Sequence, residues 1–151
     1  MINMKSTYLL LFFTLNTIIA LGQAKAKKEV DYAGTKIVLA RNLKSNAENE
    51  IQSNVFYAKW YISKRETLTG IIDSFEKEVK GNELGKVIFL SKNSEFTGIK
   101  YSCKTCPKFK FKILAFGKIN NELIVLNLWF INNPKTNTDL DKLAHNFITF
   151  K

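Results

Sequence analysis

Two cysteines, one histidine and a run of alternating lysines are the residues of this 151-residue chain whose types and spacing bear on chemistry. Cys103-Lys104-Thr105-Cys106-Pro107 is the sharpest local feature. A Cys-x-x-Cys pair serves as a redox dithiol, as half of a zinc site or as a local disulfide. A thioredoxin-type site sets its first cysteine at a helix N-terminus, where the thiol pKa falls. Here Pro107 and an alternating Lys-Phe-Lys-Phe-Lys run follow, so no helix is expected to begin there. Lys100, Lys104 and Lys108 still surround the pair with positive charge that favours thiolate. A structural zinc site needs four ligands, and the other soft candidate is His145, so a second chain would have to complete it. No metal and no cofactor are therefore expected. In an exported chain the default is a disulfide between Cys103 and Cys106. It closes a four-residue loop and contributes at most about 2 kcal/mol, so it pins a turn rather than the domain.

His145 is the sole candidate general base of its type, with Asp141 one helical turn earlier in reach of a hydrogen bond. No Gly-x-Ser-x-Gly elbow supplies a nucleophile, and no Gly-rich phosphate loop occurs. A single histidine also excludes His-Glu-x-x-His and three-His zinc sites. No catalytic residue is assigned. Lys108, Lys110 and Lys112 alternate with Phe109, Phe111 and Ile113, which on one strand would put the lysines on one face. With Lys100 and Lys104 nearby they form a candidate surface for an anionic ligand or partner. The competing explanation is an edge strand that lysines protect from aggregation.

Charge alone invites a nucleic-acid reading, because the net formal charge is +10. The N-terminus argues otherwise. Tyr8 to Leu21 (YLLLFFTLNTIIAL) holds no charged residue, follows Lys5, and ends in small residues at cleavage spacing. Fourteen residues suit a secretory signal core and are short for a membrane span. Cleavage is expected before Gln23 or before Lys27, with an uncleaved anchor as the lesser reading. Residues 1–22 are thus a signal peptide and 23–151 a single domain, exported to the periplasm or secreted. Removing the leader takes away Lys5 alone and leaves 22 basic against 13 acidic residues, a net +9. Export removes the chain from most nucleic acid, and only Arg41 and Arg65 offer the bidentate phosphate fork.

The elements that must position these residues follow from period. Lys36–Ala40 (KIVLA) and Val55–Ile62 (VFYAKWYI) read as strands, the second with Phe56, Ala58, Trp60 and Ile62 on one face and a half-exposed Val55, Tyr57, Lys59 and Tyr61 on the other. Asn42–Asn54 reads as a loop, with a helical turn inside it as the alternative. Residues 64–80 switch to helical period, with Leu68, Ile71, Ile72, Phe75 and Val79 on one side and Gly81 as the stop. Four further strands are expected at Lys86–Ser91, Glu95–Cys103, Lys108–Gly117 and Glu122–Ile131, the last two joined by an Asn120-Asn121 turn. Asp139–Lys151 reads as a closing amphipathic helix with Leu140, Leu143, Ala144, Phe147, Ile148 and Phe150 inward. The expected fold is α+β: an antiparallel sheet of about six strands covered by two helices.

That element order, with the closing Leu143–Phe150 segment, resembles the PsbP/DcrB-like superfamily. The resemblance implies a small exported binding or accessory protein, generally not a catalyst. A cystatin-like helix wrapped by a strand meander is the alternative fold, although the Gln-x-Val-x-Gly inhibitor motif is absent. The expected function is a non-enzymatic envelope protein that presents a basic face to an anionic ligand or partner protein. The alternatives are a thiol–disulfide oxidoreductase using Cys103 and Cys106 and an inhibitor-like interaction module.

Overall fold

Alternation of buried and exposed side chains organises most of the chain into strands. A computed structural model describes residues 29–62, 73, 75, 77, 79 and 80–151. The strands are β1 (Glu29–Tyr32), β2 (Thr35–Val38), β3 (Glu50–Gln52), β4 (Phe56–Ile62), β5 (Glu83–Ser91), β6 (Ser94–Ser102), β7 (Phe111–Ile119), β8 (Glu122–Phe130) and β9 (Thr149–Phe150). β1 and β2 form a separate hairpin. The others make one curled antiparallel sheet in the order β3-β4-β8-β7-β6-β5-β9. Three tight turns carry the positive φ values that two-residue hairpins require: Ala33-Gly34, Lys92-Asn93 and Asn120-Asn121.

One face of the sheet holds the main core. Phe56, Ala58 and Trp60 of β4 lie beside Leu126, Leu128 and Phe130 of β8, then Ile113 and Ala115 of β7, Phe96 of β6 and Phe89 of β5. Gly117 leaves room for the Phe96 ring, since a Cβ there would stand 2.4 Å from a ring carbon. The β1–β2 hairpin and the segment Leu140–Ile148 close over this face. Tyr32 joins the two layers: its ring lies 5.4 Å from Trp60 and 4.6 Å from Phe147, and its hydroxyl pairs with Ser91 at 2.7 Å. Phe147 is fully buried between Tyr32, Phe56 and Trp60. Burial of a ring that size stabilises by roughly 1.5–3 kcal/mol.

The opposite face carries a second, smaller cluster of Tyr101, Leu114, Val125 and Val79. Of the expected 64–80 helix, Asp73, Phe75, Lys77 and Val79 are described, and they are helical. Phe75 and Val79 face this cluster and Asp73 and Lys77 are exposed, as a four-residue spacing requires. The rest of that helix, and the expected signal peptide, lie outside the described residues.

The expected α+β fold is corrected. Strand accounts for 52% of the described residues and helical conformation for 9%, with no helix of seven or more residues among them, so the described part of the protein is mostly β. The segment expected to close the chain as a helix instead makes two short 3-10 turns, Asn137–Asp139 and Ala144–Asn146, and then β9. Polar side chains compete there with helical backbone bonds. Asp139 accepts the Lys135 and Thr136 N–H groups at 2.9 and 2.8 Å, which holds its carboxyl below the usual range. Asp141 accepts from Ala144 N–H at 2.7 Å. Asn137 clamps Phe150: its side-chain Nδ2–H donates to Phe150 C=O at 2.9 Å and its Oδ1 accepts Phe150 N–H at 2.7 Å, which keeps the end extended for pairing with Phe89 and Leu90.

Three smaller expectations are also corrected. Lys36–Ala40 does not enter the main sheet, because β2 pairs with Glu29–Tyr32, which lay next to the assigned leader. Asn42–Asn54 is not all loop, since β3 adds a short edge to β4. The strand expected from Lys108 begins at Phe111.

Candidate functional site

The late start of β7 rebuilds the lysine surface. Cys103 and Cys106 form a disulfide, with Cα atoms 5.4 Å apart. It bends the chain out of the sheet directly after β6, and Pro107 has no N–H to offer a neighbour. The bend closes where Cys103 N–H donates to Lys110 C=O at 2.8 Å, and the Lys110 ammonium reaches back to Cys106 C=O. Residues 103–110 are therefore a strapped loop between β6 and β7, not a strand with two faces. No helix starts at Cys103, so that source of thiol activation is missing.

The loop folds over an aromatic patch on the second face of the sheet. Cross-strand register sets Tyr57 opposite Trp129, Trp129 opposite Lys112, and Lys112 opposite Tyr101. The Tyr57 and Trp129 rings are 5.0 Å apart. Phe109, from the loop, packs 6.4 Å from Tyr57 and 6.3 Å from Trp129, and is itself buried. The Lys112 ammonium stands 4.1 Å from the Trp129 ring centre and 5.9 Å from that of Tyr101. Trp129 Nε1–H donates to Asn127, which fixes the plane of the indole. At the β3 end, the Tyr57 hydroxyl donates to the buried Glu50 carboxylate at 3.0 Å, and Lys59 stands 3.8 Å from it. Burial first, and then the Glu50 charge, raise the Tyr57 phenol well above its ordinary value, so it stays a neutral donor.

The five lysines of the expected surface, three of them on one strand face with Lys100 and Lys104 nearby, are thus divided three ways. Lys104, Lys108 and Lys110 are exposed together on the disulfide loop, with the Lys108 ammonium 5.0 Å from the Phe109 ring. Lys112 is only 4% exposed and belongs to the floor beneath the loop. Lys100 projects from the other face of β6, where it donates to Pro134 C=O and lies 5.6 Å from the Phe150 ring. Burial lowers its pKa. It ties β6 to the chain terminus and is remote from the loop's cations.

His145 is exposed, and its side chain is not held by Asp141. The Asp141 carboxylate is engaged by Ser53 Oγ at 2.9 Å and by Ala144 N–H. Among the described residues no three of His, Cys, Asp and Glu gather as a metal site, and no helix is long and apolar enough to cross a membrane. Sequence reading found Tyr57, Lys59 and Tyr61 as a half-exposed face, and all three are half-buried. It missed Trp129, Glu50 and the outward role of Phe109. Alternation along β8 could have set Trp129 opposite the core residues Leu128 and Phe130.

The fold and site together describe a mostly-β domain that displays a basic, disulfide-strapped loop on an aromatic floor. Comparison with protein-family models, with curated proteins and with solved structures finds no match.

Proposed function

We propose that this chain is a small exported binding protein that engages an anionic partner, a protein or an acidic polymer, through the loop Cys103–Lys110. The observation that carries the reading is the grouping of Lys104, Lys108 and Lys110. All three are exposed on one loop whose ends are fixed by a disulfide and by Phe109 seated on Tyr57 and Trp129. Fixing a loop before it binds lowers the ordering cost of association. Three ammonium groups with no opposing carboxylate beside them in the loop supply attraction and orientation. The uncharged Tyr8–Leu21 run and the small residues after it support export, and an oxidising compartment suits the disulfide. The role asked of the site is binding, since its chemistry is that of fixed positive charge beside aromatic surface.

Retention on a heparin matrix tests this. Lys104→Gln, Lys108→Gln and Lys110→Gln combined should lower the eluting salt concentration clearly. Elution unchanged by all three substitutions would remove the loop from the account. N-terminal sequencing of the accumulated protein checks export, with Gln23 or Lys27 as the expected first residue.

A further inference from the structure

The second sheet face also holds a cleft that shares no described lining residue with the lysine loop. It measures about 550 Å³, within the roughly 300–1,000 Å³ of small-molecule sites. Its floor is mainly apolar, with Ile99 of β6 and Leu114 and Phe116 of β7 beside the hydroxyl-bearing Thr97. Phe75 and Val79 form one wall. Lys80, Glu83 and Lys86 stand at the rim and carry the formal charge among the described lining residues.

Two observations say that this cleft is not merely unfilled core. Ile99 is 38% exposed, and Ile88, the next outward-facing residue after Lys86 on β5, is 52% exposed. Large β-branched side chains left open on a sheet face mark contact surface when they adjoin a cavity. The rim also has a sign. Lys80 and Lys86 outnumber Glu83, and neither lysine is ion-paired among the described residues. An apolar trough with an unpaired cationic lip complements a molecule with one apolar tail and one anionic head.

We propose that this cleft binds a single-chain amphipathic carboxylate, with the acyl chain along Ile99, Leu114 and Phe116 and the carboxylate at Lys80 and Lys86. The tail gains by leaving water, in proportion to the methylenes it buries. The head stays at the surface, where the two ammonium groups meet it without burying a charge.

Isothermal titration with dodecanoate below its micelle concentration tests the proposal. One equivalent should bind, at least tenfold more tightly than butyrate, which lacks the tail, and than dodecyltrimethylammonium, which reverses the head. Ile99→Glu places a carboxylate in an already solvated part of the trough and should weaken dodecanoate at least tenfold. Lys80→Glu with Lys86→Glu should weaken it several-fold. Circular dichroism of each variant establishes that the sheet is intact. The Lys104, Lys108 and Lys110 substitutions should leave dodecanoate affinity unchanged, so the two sites fail or stand separately. Equal binding of the cationic and anionic amphiphiles would overturn the proposal, as would full affinity in a folded Ile99→Glu variant.

Discussion

Lys112 keeps its ammonium 4.1 Å from the centre of the Trp129 indole although the residue is 4% exposed. A lysine so deep is stabilised by its surroundings: the ring face attracts the cation, and the four-carbon stem packs as an apolar side chain. The pair occupies adjacent positions on β7 and β8, and it forms the floor on which the Phe109 end of the lysine loop rests.

Stem and charge can be separated. Lys112→Ala removes both and should destabilise the protein by about 2–3 kcal/mol in denaturant unfolding. Lys112→Met keeps most of the stem and should recover more than half of that loss. Equal losses for the two variants would mean that the charge, not the packing, holds the floor.

Gly98 is a position where no side chain fits. A Cβ there would lie 2.3 Å from Leu114 C=O and 2.7 Å from the Ala115 Cβ, and backbone cannot swing aside. Gly98→Ala should cost about 2–3 kcal/mol through overpacking. Gly81→Ala is the comparison: it has open space but a φ of +78°, and should cost about 1 kcal/mol. Thermal melts of the two variants give the order directly.

Tyr32 predicts an alkaline limit. Burial pushes its phenol up to about 12, against 10.0 for the free side chain, with the Ser91 bond acting in the opposite direction. The folded state thus favours the protonated ring. Stability from this source is intact below pH 10 and is lost as pH rises toward 12, by an amount on the order of 2–3 kcal/mol. Tyr57, raised in the same direction, adds to the loss. Tyr32→Phe should flatten part of the decline in unfolding free energy between pH 9 and 11, and a curve parallel to that of the parent protein would speak against it.

The disulfide should matter more to the loop than to the sheet. Cys103→Ser with Cys106→Ser should lower unfolding free energy by no more than about 2 kcal/mol, since the closed loop is four residues long. Heparin affinity should fall several-fold, because an open loop must be ordered on binding. A large stability loss with unchanged affinity would reverse the assigned role.

Local signals account for what the sequence revealed. Strand-like runs located β4, β6 and β8 to within a residue and β5 and β7 with starts three residues off, and the Asn120-Asn121 pair marked its turn by tolerance of positive φ. The C-terminus misled because Leu140, Leu143, Ala144, Phe147 and Ile148 do all face the core, as a helix would require. They do so through two turns and a bend held by Asp139, Asp141 and Asn137, bonds invisible to a hydrophobic pattern. The lysine surface misled for a similar reason: alternation assumes a strand, and the Cys103–Cys106 strap interrupts it. Tyr57 meets Trp129 through pairing of β4 with β8, some seventy residues apart in sequence, which no local pattern encodes, while Lys112 meets Trp129 across the β7–β8 hairpin.

The central claim is that position, not total charge, makes the loop a binding site. Two charge-matched variants decide it in heparin affinity measured against salt concentration. One carries Lys104→Glu, Lys108→Glu and Lys110→Glu, and the other carries Lys44→Glu, Lys118→Glu and Lys142→Glu at exposed sites elsewhere. The account predicts at least tenfold weaker binding and a shallower salt dependence for the loop variant than for its control. Equal losses in the two variants would contradict it.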